Sequence, residues 1–304
     1  MASARGGRRV VNELIICAQL NEGMTREPNP HIPYTADEIA EQALAARKAG
    51  AAITHVHART ADGGMDDTVA GYRAMLAAIR AQTDILVAPP LLNIPGATDA
   101  ERLGVVLDPQ NRPDFVTVET GSTNFDLVDE RTGDYASHTR LFQTSVESQL
   151  RFLDAAHDLG LPVLATSFNG SWSRAIDIHI GAGRLTPPLL LLLVHGGPGF
   201  PAAHPATSAG LRAHRELLPD HPGVEFMVSA HRGDVLLLAE EAIEAGGHVA
   251  IGVGDFPHPE RGLPTTAELV AEVAAIGRRH GRPPATPEQV RSHFTPTRRT
   301  VATQ

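Results

Sequence analysis

Two histidines stand one residue apart in "ITHVHART", at the tail of an apolar run. In an extended strand, side chains i and i+2 emerge on the same side, so His55 and His57 project together, with Arg59 following in phase. Two imidazoles on one face can grip a divalent metal, most often zinc, once a third ligand arrives from another segment. Without that ligand they are hydrogen-bonding groups at a polar strand end. Three further segments carry polar groups suited to a site. "ETGSTNF", Glu119 to Phe125, offers a carboxylate, three hydroxyls and an amide, or else a turn in which Gly121 supplies an unusual backbone angle and Asn124 caps the next segment. "HGGPGFPA", His195 to Ala202, could turn free amides toward an anion, but it lacks the Lys and Ser/Thr of a phosphate loop and reads equally as a rigid connector. "TREPNPHIPYT", Thr25 to Thr35, is a long proline-stiffened loop, either a cover for a pocket or a connector.

The elements that must position these groups alternate along the whole chain. Eight short apolar runs are strand candidates: Leu14 to Gln19, Ala52 to His57, Asp84 to Pro89, Phe115 to Glu119, Pro162 to Phe168, Leu189 to Val194, Val224 to Ser229 and His248 to Gly254. Several are apolar without alternation, as expected of parallel strands covered on both faces. Helical segments lie between them. Thr35, Thr98 and Thr265 each stand before acidic residues as capping hydroxyls, and Gly50 and Gly281 stand where helices stop. Eight such units in 304 residues predict a single α/β domain of the (β/α)8 TIM-barrel class, with flexible termini at about 1–12 and 295–304. An open doubly wound sheet is the rival, but no GxGxxG follows the first strand. In a barrel the chemistry gathers at the C-terminal strand ends, which here carry Asn21, Glu22, His55, His57, Arg59, Asn93, Glu119, Thr120, Ser122, Asn124, Ser167, Asn169, His195, Ser229, His231, Arg232, Asp255 and His258.

Composition bounds the function. A net charge of -9, with no dense basic block beyond Arg5 to Arg9, argues against nucleic acid as a partner. The single cysteine, Cys17, excludes an internal disulfide and fits a reducing, cytoplasmic setting as a buried thiol. The longest apolar run, Pro187 to Val194, is too short to span a bilayer, and the N-terminus lacks the apolar stretch of a signal peptide.

Taken in order and spacing, "TREPNPHIPYTADEIAEQALAARKAGAAITHVHART", "ETGSTNF", "GGPGFPA" and "GGHVAIGVGD" resemble the beta-keto acid cleavage enzymes, from about Leu14 to about Phe294. The resemblance implies a zinc-dependent (β/α)8 barrel, usually homo-oligomeric. Its members exchange acyl groups between a small β-keto acid and acetyl-CoA, releasing acetoacetate and a new CoA thioester. The family's zinc histidines fall on His55 and His57, and its substrate-binding threonine and serine on Thr120 and Ser122. Where the family's eighth strand reads "HVRVGLED", this chain reads "HVAIGVGD": Ala250 replaces an arginine, Gly254 replaces the glutamate that is the third zinc ligand, and Asp255 remains. "LVAPPLLN" stands where a serine-bearing "VSTGG" loop is common, and "LNEG" for "TGAE" moves an acid to Glu22. These departures assign the third ligand to Glu119 or Asp255, proton handling to Asp255 and Glu22, and the lost cation to His231, Arg232 or Arg59, with Asn124 beside the substrate. A lyase or hydrolase that dispenses with CoA, and a catalytically silent barrel that binds a small molecule, are the alternatives.

Overall fold

The computed structural model describes residues 12–92 and 96–296; Arg5 to Arg9, Asn93 and the outermost termini lie outside the described residues. All eight apolar runs form strands of one parallel sheet: β1 (Ile16–Gln19), β2 (Ile53–His55), β3 (Leu86–Val87), β4 (Val116–Glu119), β5 (Val163–Ser167), β6 (Leu189–Gly196), β7 (Val224–His231) and β8 (His248–Ile251). Their order is β3-β2-β1-β8-β7-β6-β5-β4, the sequence of a (β/α)8 barrel cut open between β3 and β4. Backbone hydrogen bonds cross that cut, from Asp114 N and Phe115 N at the foot of β4 to the Val87 carbonyl of β3, at 2.9 and 3.3 Å.

Local sequence explains the helices. α1 (Ala36–Ala49) and α9 (Thr266–Arg279) begin with reciprocal capping boxes at Thr35/Glu38 and Thr265/Glu268. Each cap contributes about 1 kcal/mol. The segment after Thr98, "DAERLGVVL", breaks at Leu103 into two short helices, α3 (Asp99–Arg102) and α4 (Gly104–Leu107). The third strand is thus followed by a compact knuckle that turns Arg102 inward to 9% exposure.

Two apolar clusters follow from strand alternation. One lies between the outer sheet face and the helices, for example Ile16, Ala18, Ile39, Leu191 and Val270. The other fills the lower barrel: Ile15, Cys17, Ile53, Phe115, Leu164, Leu190, Met227 and Ala250, sealed from below by Ala285, Val290 and Phe294 of the last helix, α10 (Pro287–Phe294), and the turn before it. Cys17 is buried in this plug, and burial pushes its thiol upward, so it stays protonated and inert. Above the apolar layer, the same inward phase delivers Gln19, His55, Glu119, Thr166 and Ser229 into an open space at the C-terminal ends of the strands.

Candidate active site

That space is a cavity of about 240 Å³ lined by residues of all eight strands or the loops that follow them. On one side His55 ends β2, directly across from Gln19 of β1, and His57 follows in phase. The loop after β1 is locked onto this pair. Asn21, fully buried, accepts from His57 N at 2.9 Å and donates to the His57 carbonyl at 3.0 Å. The Arg59 guanidinium donates to the carbonyls of Asn21, Glu22, Met24 and Gly63. Arg59 therefore serves as a backbone clamp and does not line the cavity.

The clamp sets Glu22 between the two imidazoles. Its Oε2 is 3.0 Å from His57 Nε2 and 3.5 Å from His55 Nε2, while its Oε1 is buried with no hydrogen-bond partner. The ligand atoms of Glu22, His55 and His57 lie within 4.8 Å of one another. His55 Nδ1 rests on the Ala88 carbonyl, so its Nε2 is the nitrogen that faces Glu22. Burial would lower the His55 pKa, but the Glu22 carboxylate outweighs it and raises the group to about 9. Burial likewise opposes ionisation of Glu22, and the two histidines overcome it, holding the carboxyl well below its usual range. One carboxylate, two Nε2 atoms and an unused carboxylate oxygen are a donor set that suits a divalent metal, zinc above all.

Glu119, at the end of β4, lines the same cavity but stands outside this close group. Burial raises its carboxyl above the ordinary range, with Arg102 and His55 acting against that rise. Gly254 accounts for why the acid comes from β1. A Cβ there would sit 2.6 Å from Asn21 N and 2.8 Å from Glu22 N, so the β1 loop occupies the space a longer side chain needs. Ala250 lies in the apolar plug beneath the cavity.

On the adjoining β7–β8 side, Asp255 Oδ1 is 3.1 Å from His231 Nδ1, and Asp255 Oδ2 is buried without a partner. The pair resembles a base with its orienting acid: the carboxylate fixes the Nδ1–H tautomer and leaves Nε2 free to exchange protons. Arg232 hangs behind it, in a left-handed conformation (φ 57°), with its N donating to the Asp255 carbonyl at 3.0 Å. It is not among the lining residues. Thr120 and Ser122 are turned into the wall. Thr120 donates to the carbonyls of Thr166 and Trp172, and Ser122 is paired with Thr144 N and O. Asn124 borders a separate, more open depression with Asp126, Tyr135 and His138. Gly121 has no left-handed backbone angle; it is glycine because a Cβ would lie 2.4 Å from the Trp172 indole.

Two loops, read from sequence as anion cradle or connector (His195 to Ala202) and as pocket cover or connector (Thr25 to Thr35), are both tied to the framework by hydrogen bonds. Amides of the His195 segment are spent internally, Gly197 N on the His231 carbonyl and Phe200 N on the Gly197 carbonyl. Asn29 of the proline-stiffened loop donates to the carbonyls of Pro257 and Pro264, tying it to the segment after β8. Sequence reasoning missed Gln19, Thr117, Thr166, Arg102 and Arg140, all of which line the cavity. Counting every second residue back from the strand ends would have found the first three, whereas nothing local marks the two arginines.

Comparison with known proteins agrees with the geometry. Residues 13–295 match the family model of beta-keto acid cleavage enzymes. A 3-keto-5-aminohexanoate cleavage enzyme of Acetoanaerobium sticklandii is 30% identical over 92% of this chain and 97% of its own length. A 3,5-dioxohexanoate:acetyl-CoA acetone transferase of Paraburkholderia graminis is 27% identical over 80% and 81%. Among solved structures, ObcA in a ternary complex with a C4-CoA adduct and oxalate superposes with a TM-score of 0.63 at 16% identity, over 87% of this chain and 67% of that one, a likeness of fold. No helix among the described residues is long and apolar enough to cross a membrane. The matched span, together with a 30% identical relative covered over 97% of its length, places this chain in the beta-keto acid cleavage enzyme family.

Proposed function

We propose that the protein is a metal-dependent enzyme that cleaves a small β-keto acid by acyl exchange with acetyl-CoA, yielding acetoacetate and a new CoA thioester. The observation that carries this reading is the convergence of Glu22, His55 and His57 on one point of the cavity. These three residues would hold the metal, with Glu22 in the role first expected of Glu119. Bound there, zinc supplies Lewis-acid stabilisation of negative charge on the keto oxygen.

The protein's own groups handle the protons. Exchange starts when a base removes a proton from the carbon between the keto and carboxyl groups. The resulting carbanion attacks the acetyl thioester and expels CoA thiolate. That thiolate then attacks the original keto carbon, and the carbon-carbon bond breaks to give acyl-CoA and the acetoacetate carbanion, which takes the proton back. The His231–Asp255 pair faces the cavity and is suited to both transfers. Asn21 and Arg59 act by holding the Glu22 loop in register with β2.

Protein purified without added metal should carry one zinc per chain, and a His55→Ala/His57→Ala variant should carry none. Acetyl-CoA should be consumed in step with keto acid across a panel of such acids. Equal metal in both proteins, or turnover that proceeds without acetyl-CoA, would sink the proposal.

A further inference from the structure

Arg102 is out of place for a helix residue. It belongs to the four-residue helix α3, yet it is 9% exposed, lines the cavity, and has a buried Nε with no hydrogen-bond partner. Its contacts are a 3.3 Å hydrogen bond from Nη2 to Thr144 Oγ1 and the Phe152 ring, 4.8 Å from the guanidinium carbon. A second arginine, Arg140, is exposed at the cavity rim on the long β4–α5 excursion (α5 being Val146–Leu159); its backbone is held by N to Asp126 Oδ1 at 3.0 Å and by Phe125 N to its carbonyl at 2.7 Å, and its guanidinium has no hydrogen-bond partner among the described residues. Among the described residues neither guanidinium makes an ion pair with a carboxylate, although the chain has 35 acidic side chains, whereas Arg59 nearby is spent on four carbonyls. A buried guanidinium is costly to leave without an anion, and its planar fork matches a carboxylate.

A β-keto acid carries its keto and carboxylate oxygens close together, and Glu22, His55 and His57 would hold a metal that draws that end of the substrate. In the proposed reaction those oxygens are committed to the Glu22–His55–His57 side, which leaves the two arginines for a different anion. Glu119 lines the same cavity, and burial pushes its carboxyl above the ordinary range, which weakens it as a standing partner for Arg102. We infer that the substrate is a β-keto diacid, whose distal carboxylate pairs with Arg102 and Arg140. This rests on the cleavage reading for the role of the first carboxylate.

The test uses zinc-loaded protein and two matched pairs of six-carbon acids. Hexanedioate should bind at least tenfold more tightly than hexanoate by calorimetry, and kcat/KM should favour 3-oxohexanedioate over 3-oxohexanoate by a similar factor or more. Arg102→Ala should abolish the preference by weakening the diacid alone, while Arg102→Lys should keep part of it. Thr144→Val, which removes the hydroxyl that Arg102 contacts, should keep most of the preference and controls for loosened packing. Equal binding of the two acids by the wild type, or equal loss of both in Arg102→Ala, overturns the inference. Calorimetry decides this even where neither keto acid is turned over, so failure of the cleavage reading stays separate.

Discussion

The barrel holds the same trio, one glutamate between two histidines, at both of its ends. At the C-terminal mouth Glu22 faces His55 and His57. At the closed end Glu225 of β7 faces His248 of β8 and His293 of α10. The lower cluster is saturated. Both Glu225 oxygens are engaged, and His248 Nδ1 accepts from Ile15 N at 3.0 Å with Arg282 at 3.2 Å. Its ligand atoms do not converge as the upper ones do, and apolar residues surround it. The upper cluster keeps a free carboxylate oxygen beside a cavity. Identical chemistry thus gives a brace below and a binding site above. What separates them is the number of partners already taken, because a metal needs lone pairs that no hydrogen bond has claimed.

Four changes would break or sharpen that contrast. The largest effect belongs to the mouth: Glu22→Gln should strip the metal and lower turnover by about 10²–10³, the scale of losing one preorganised charge-stabilising contact, with thermal stability little changed. Glu225→Ala should do the reverse. It should cost about 3–5 kcal/mol of stability by leaving buried partners uncompensated, seen as a lower denaturation midpoint, with one metal still bound per folded chain. Gly254→Glu restores the residue usual in the family and should cost about 3 kcal/mol through overpacking against the Asn21 and Glu22 backbone. A variant with wild-type stability and tighter metal would show that the β1 loop yields and that Glu22 is dispensable.

The smallest effect is graded with pH. A metal must displace the proton that Glu22 holds on His55, whose pKa is raised to about 9. Apparent zinc affinity should therefore rise about tenfold per pH unit up to about pH 9 and then level off. Stability has a different pH signature, from three neutral histidines behind the barrel wall. Burial lowers His195 to about 4, and His204 and His214 are lowered for the same reason. For a depressed histidine the unfolded chain binds more protons, so stability falls as pH drops below about 6.5 and the His195 share, about 3 kcal/mol, is lost by about pH 4. A flat denaturation midpoint from pH 7 to pH 4 would contradict this burial.

How much of this was legible in the residues differs by feature. Fold class came through because parallel strands covered on both faces must be apolar runs, and the capping threonines at 35, 98 and 265 write their signal within four residues. His55 and His57 were legible as a pair because i, i+2 geometry is local. The third partner was not, since Glu22, Glu119 and Asp255 all stand at strand ends, and their spacing says nothing about which one reaches the pair. The hydroxyls of Thr120 and Ser122 have the right chemistry for substrate but are satisfied by carbonyls brought near only by folding.

By itself, the sequence determined the period, the caps, the paired imidazoles and the family. Those depend on contacts within a turn or a strand, which any folded context preserves. The tertiary structure alone decided that the Asn21–Arg59 clamp aims Glu22 at the histidines, that the β1 loop occupies the space beside Gly254, and that α3 delivers Arg102 to the cavity. Each of these joins segments about 35 or more residues apart, and distance of that kind is set by the closing of the barrel, through packing that no local pattern encodes.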